Sequence, residues 1–273
     1  RFTFKDRTLE NEQILIDNIP GSSYHSGGRL EFGPDGKLYV TTGDAQEILL
    51  SQDPDFLGGK ILRLNTDGSI PFNNPYENSY VYSSGHRNPQ GLAWDLENNN
   101  MYSSEHGPFR FDEINVILPG GNYGWGGYKC NEIHNSSVKS DNVIFPVACA
   151  IDWTLAPSGM EFINDENSVW KDSLFVASLR GKHIHRYKFD DNEKIVDEIF
   201  YLNKEGIDFT KKEESIILGL IENGESDKAL RVGLELVGPE RIVISQRIRD
   251  IEYHDGSLYA IGDGYGMVKI TPV

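Results

Sequence analysis

Several short polar clusters carry side chains suited to proton transfer or to holding ions. His25 lies in Tyr24-His25-Ser26-Gly27-Gly28-Arg29-Leu30, just ahead of a strand-like run. A histidine in a glycine-rich turn can reach a cavity, and its ordinary pKa suits a general base near neutrality. Asp44 ends the next strand, in Thr41-Thr42-Gly43-Asp44, and can return to the same rim to hold the imidazole in one tautomer. Taken singly, each has a bland reading: His25 as a surface or structural histidine, Asp44 as a turn aspartate. The stretch from Gly85 to Trp94 sets the always-charged Arg87 and the hydrogen-bonding Asn88 beside Pro89, which cannot sit inside a helix or a central strand. Polar groups on such a turn at a sheet edge suit a pocket better than a core.

Three further clusters suit ligand or metal binding. Arg247 and Arg249 alternate along Gln246-Arg247-Ile248-Arg249-Asp250, so in a strand they face one side. Two guanidinium groups there suit a ligand with several carboxylates. A solvated strand face paired with Asp250 or Glu252 is the competing reading. Arg180 and Lys182 add two cations after a strand, and Glu105-His106-Gly107-Pro108 with Asp112-Glu113-Ile114-Asn115 supplies loop carbonyls and carboxylates. Hard oxygens of that kind suit Ca²⁺, although the spacing is not that of an EF-hand.

Short strands must position these residues. Turn signals recur at Pro34-Asp35-Gly36, Asp67-Gly68, Gly120-Gly121-Asn122, Asp190-Asp191-Asn192 and Asp255-Gly256. Four segments share one formula, a polar turn and then an apolar-aromatic step, with the aromatic at Tyr39, Tyr102, Phe175 and Tyr259. Irregularly spaced meanders of that kind predict an all-β chain, either a β-propeller or an irregular sandwich. One region departs from the pattern: Thr210-Lys211-Lys212-Glu213 is a capping box, and helical spacing continues on both sides of Asn223-Gly224. A helical hairpin is therefore expected over residues 203–240, inserted at the rim as a solvated decoration or as a partner-binding or dimerising element.

Composition narrows the function classes. The 273 residues carry a net charge of −16, with a pI near 4.8. A nucleic-acid partner is not expected on that balance, because neutralising phosphates requires a basic face. The longest apolar run, Ile216 to Ile221, is far short of the roughly 18 residues of a membrane span, so no span is expected. Cys130 and Cys149 fit one disulfide in an exported protein or two buried thiols. The chain opens at Arg1, as a processed or truncated product would.

Eight motifs are similar, in order, to those of the soluble PQQ-dependent aldose sugar dehydrogenases (the glucose/sorbosone dehydrogenase family). They are His25 to Leu30, Gly59 to Pro71, Gly85 to Gly91, Glu105 to Pro108, Asp112 to Asn115, Gly120 to Trp125, Ala156 to Gly159 and Arg247 to Asp250. The resemblance implies a single six-bladed β-propeller domain over residues 1–273, lacking its N-terminal strands. It implies pyrroloquinoline quinone (PQQ) and Ca²⁺ as cofactors, an aldose substrate oxidised at C1 to its lactone, and an external electron acceptor. His25 matches the family's catalytic base, Asp44 the carboxylate that orients it, and Arg87 the cation beside the quinone oxygens. Asn88 matches a neighbouring cofactor contact, and Arg247 and Arg249 the pair that grips PQQ carboxylates. Arg180 stands where the family often has Lys. Gly107 and Pro108 match backbone carbonyl ligands of Ca²⁺, and Trp153 falls near an aromatic at the substrate entrance. Cys130 stands near where a second, structural Ca²⁺ site would have an acidic ligand, so that site is not expected. An extracellular or periplasmic location follows from the same resemblance. The alternatives are a non-catalytic propeller that binds ligands or proteins, and a Ca²⁺-dependent lactonase-like hydrolase; the first leaves the base unexplained and the second the paired arginines.

Overall fold

The computed structural model describes residues 1–136, 142–150, 154–180, 183–189, 195–201, 247–263 and 266–272. The helical hairpin expected over 203–240 and the side chain of Trp153 lie outside them. Within them the chain is all-β, as expected, with one short 3-10 helix at Ile48–Gln52. None of their helices is long and apolar enough to cross a membrane. The chain divides into two compact units: residues 1–89, 118–128 and 133–144 in the first, and residues 90–117, 129–132 and 145–273 in the second.

The first unit begins with a hairpin of β1 (Thr3–Lys5) and β2 (Thr8–Glu10), turned through Asp6 and Arg7, both at positive φ. Its main sheet is an antiparallel meander of β3 (Leu30–Phe32), β4 (Leu38–Thr42), β5 (Lys60–Leu64) and β6 (Val81–Ser84). Leu62, Leu64, Val40 and Val81 form its buried layer, with Leu15, Ile16 and Ile19 packed on them.

The second unit stacks three sheets in series. The first has the order β12-β9-β8-β7, from β7 (Pro89–Asp95), β8 (Asn100–Glu105), β9 (Asp112–Ile117) and β12 (Ala148–Ala150). The intervening β10 (Tyr128–Lys129) and β11 (Glu132–Ile133) are two-residue strands. Pro89 opens β7 on the sheet edge, where its missing N–H breaks no ladder. The next sheet is a meander of β13 (Pro157–Phe162), β14 (Ser173–Ser178), β15 (Ile184–Phe189) and β16 (Ile195–Tyr201). The last joins β17 (Ile248–His254), β18 (Ser257–Gly262) and β19 (Gly266–Ile270).

Two apolar layers bind this stack. Tyr102, Met160, Phe162, Leu174, Val176 and Phe189 fill the first, and Phe175, Ile184, Ile248, Ile251, Leu258 and Ile270 the second. Each large side chain so buried contributes about 1.5–3 kcal/mol. β14 is buried along its whole length because both its faces are covered.

The recurrent sequence formula has a structural meaning. Its four copies are β4, β8, β14 and β18, the second strand of each meander. The polar residue before each strand supplies a left-handed turn position: Gly36, Asn99, Asp172, and Asp255 with Gly256. In the last hairpin His254 faces Ser257, so Asp255-Gly256 is a two-residue turn of the type that matches strand twist. Cys130 and Cys149 form a disulfide, which resolves the two readings left open by the sequence.

Candidate active site

In the first unit, β4 delivers the chain to Gly43 and Asp44. Gly43 is required by close approach, since a Cβ there would stand 1.9 Å from the His25 carbonyl oxygen. That contact, with the bond from Ala45 N–H to the same oxygen at 3.1 Å, seats the His25 loop on the end of β4. His25 itself has φ 58°, a left-handed conformation that costs a non-glycine residue energy and is held by its surroundings.

Asp44 is fully buried, and its carboxylate is fully engaged. Oδ1 accepts His25 Nδ1 at 2.8 Å and Gln46 N–H at 2.8 Å, while Oδ2 accepts the Trp125 indole N–H at 2.7 Å. Burial alone raises the pKa of Asp44. The bonds from His25, Gln46 and Trp125 outweigh it and hold the group below the ordinary carboxylate value. An ionised Asp44 fixes the proton of neutral His25 on Nδ1 and leaves the Nε2 lone pair for chemistry.

Two neighbours from the Gly85 to Trp94 segment complete the cluster. The Arg87 carbonyl accepts Asp44 N–H at 2.8 Å, and its guanidinium carbon lies 5.3 Å from the Trp125 ring centre. Asn88 Oδ1 accepts Gly27 N–H at 3.0 Å and so fastens the His25 loop. His86, immediately before them, is a support: it is buried, stacks on Tyr123 at 4.6 Å and bonds Ser83 Oγ at 2.8 Å. His25, Asp44, Arg87 and Asn88 are thus brought together as the sequence suggested. Trp125 was missed as a site residue. Its only signal was the Tyr123-Gly124-Trp125 motif, which shows no chemistry until the indole is seen on Asp44.

The remaining candidates belong to the second unit. Arg247 precedes β17, and Arg249 sits at a bulge between Ile248 and Asp250. Both reach Asp263, at 3.7 Å and 2.8 Å, rather than the Asp250 or Glu252 considered from sequence. Among the described residues the two guanidinium groups share the Asp263 carboxylate, and both are about half exposed. That donor set fits a ligand carboxylate. Arg180 is exposed just beyond the end of β14.

Gly107 and Pro108 lie in the tight loop from β8 to β9. A Cβ at Gly107 would meet Phe111 O at 2.0 Å, Gly107 N–H donates to Asp112 Oδ1 at 2.9 Å, and Pro108 O accepts Arg110 N–H at 2.7 Å. A carbonyl with one hydrogen bond retains a second lone pair for a cation. Among the described residues no three His, Cys, Asp or Glu side chains are grouped to hold a metal. The loop therefore fits a hard cation only as a two-carbonyl partner to oxygens that a ligand brings, since Ca²⁺ takes six to eight.

The chain as a whole is similar to known proteins. Residues 1–228 match the family model described as Glucose / Sorbosone dehydrogenase. The chain is 43% identical over 232 residues to quinoprotein glucose dehydrogenase B of Acinetobacter calcoaceticus, covering 74% of this chain and 48% of that protein. It is 35% identical over 177 residues to aldose sugar dehydrogenase YliI of Escherichia coli, covering 59% and 46%. The PQQ-bound aldose sugar dehydrogenase of Streptomyces coelicolor superposes with a TM-score of 0.68 at 29% identity, over 96% of this chain and 66% of that one. A glucose dehydrogenase structure superposes with a TM-score of 0.74 at 26% identity, over 98% and 70%. The chain spans about half the length of the curated relatives it matches. With a family model covering most of its residues, the chain belongs to the glucose/sorbosone dehydrogenase family of soluble quinoprotein sugar dehydrogenases.

Proposed function

We propose that the protein oxidises an aldose at C1 to its lactone. His25 Nε2 takes the proton of the anomeric hydroxyl, and C1 gives up its hydrogen as hydride with two electrons. The observation that carries this reading is His25 Nδ1 on a buried, ionised Asp44 at 2.8 Å, an arrangement that makes a base of Nε2. Bound PQQ supplies the hydride acceptor, and Ca²⁺ the positive charge that holds it in place. Arg87 provides a fixed cation for oxygens that gain negative charge, with Asn88 beside it. Arg247, Arg249 and Arg180 would hold the cofactor's carboxylates, and the Gly107 and Pro108 carbonyls would ligate Ca²⁺. The final electron acceptor would be external to the chain. The meanders are blades of one six-bladed propeller domain, a reading supported by their common second-strand formula, and the protein works outside the cell or in the periplasm.

The test is to titrate the purified protein with PQQ in Ca²⁺ and then add an aldose. A bound-quinone spectrum that bleaches on sugar addition is expected. Tight PQQ binding without bleaching would make the protein a binding module, and no binding would remove the dehydrogenase assignment.

A further inference from the structure

Trp125 touches both polar groups that the proposed chemistry needs. The edge of its ring donates to Asp44 Oδ2 at 2.7 Å, and its ring centre lies 5.3 Å from the Arg87 guanidinium carbon. The residue is 6% exposed and its backbone is tied on both sides. Trp125 N–H donates to Gly85 O at 2.9 Å, and its carbonyl accepts Ser51 Oγ at 3.1 Å and Gln52 Nε2 at 2.9 Å. Gln52 is in turn locked to Asn122 by two reciprocal amide bonds, at 3.1 and 2.8 Å. A rigid ring held in this way transmits position, because neither its edge nor its face can shift alone.

We propose that Trp125 is the positioning residue of the site, setting His25 through Asp44 and seating Arg87 on the same ring. The inference rests on the reading of His25 as base. A carboxylate bonded at one oxygen only can rotate about its Cβ–Cγ bond and carry the other oxygen off the imidazole. The indole N–H on Oδ2, with Gln46 N–H on Oδ1, removes that rotation. The same bond draws electron density from the carboxylate and so tempers the basicity of His25. Among the described residues, the charged or titratable groups against the Trp125 ring are Asp44, Arg87 and His134, the last stacked on it at 6.0 Å.

Trp125→Phe keeps an aromatic face for Arg87 and removes only the N–H donor. In the PQQ-loaded protein, kcat is expected to fall about 10- to 100-fold, with PQQ affinity and KM within about threefold of wild type. The acid limb of its pH profile should move to higher pH. An unchanged kcat and an unmoved limb would overturn the proposal, as would an equal loss of PQQ affinity, which marks a merely structural ring. Two readouts need neither cofactor nor turnover. The His25 Nδ1 proton, assigned by NMR with His25→Gln, should exchange faster with water in Trp125→Phe, where Asp44 is free to rotate. In a protein too fragile for that substitution, the Trp125 indole proton of wild type, one of four tryptophans, should lie downfield and move upfield in Asp44→Asn. An indole proton indifferent to Asp44→Asn would overturn the positioning role. Failure of the PQQ-loaded wild type to oxidise any aldose would sink the dehydrogenase reading alone, with the NMR shifts then deciding Trp125.

Discussion

At the residue scale, the site turns on how one carboxylate spends its lone pairs. Asp44 receives three donors on two oxygens: His25 and Gln46 on one, Trp125 on the other. An amide in its place offers one oxygen and one NH₂, so at least one of those donors must face another donor. Asp44→Asn is therefore expected to lower kcat on the order of 10²- to 10⁴-fold, by releasing the His25 tautomer, while leaving PQQ affinity nearly intact. Steady-state kinetics beside a PQQ titration checks this, and a variant with wild-type kcat would contradict it. The candidates His25, Asp44, Arg87 and Asn88 were legible as residues because His, Asp, Arg and Asn in glycine-flanked turns have few apolar reasons to be there. Trp125 was not, since an indole in a sequence reads as core, and only the 2.7 Å contact with Asp44 gives it a polar role.

At the scale of elements, each strand and loop has a definable task. The positive-φ turns before β4, β8, β14 and β18 were readable because Gly, Asn and Asp tolerate that conformation. The bulge that brings Arg249 with Arg247 onto Asp263 was not, as nothing in the alternating pattern marks the extra residue. The Cys130–Cys149 disulfide closes a loop of 19 residues, so its loss by Cys149→Ser should cost about 3 kcal/mol. Thermal melts with and without reductant measure that cost, and a reductant-insensitive wild type would argue against it. In the β8–β9 pair, Glu105 lies opposite Glu113. Burial first, and then the Glu105 charge, push the Glu113 carboxyl up to about 8. A carboxyl raised in the folded state binds more protons there than in the unfolded chain, so stability falls as pH rises from the ordinary carboxylate range toward 8. Glu113→Gln should flatten that decline in denaturant titrations between pH 5 and 8, and an unchanged slope would assign the pH dependence elsewhere.

At the scale of the whole molecule, an acidic all-β chain was legible throughout, from net charge, from turn spacing and from the recurring second-strand formula. The order of its motifs carried the family before any coordinate did, and the match over residues 1–228 agrees. The chain spans about half of its curated relatives, so the decisive evidence must come from chemistry at His25. The measurement is the single-turnover reduction of PQQ-loaded protein by an aldose, followed by the quinone spectrum, in wild type and His25→Ala at matched PQQ occupancy. Wild type is expected to be reduced with a rate that rises as His25 deprotonates, and His25→Ala to be slower by about 10²- to 10⁴-fold and to lose that pH limb. Equal rates in the two proteins, with the same pH profile, would contradict the assignment of His25 as the base.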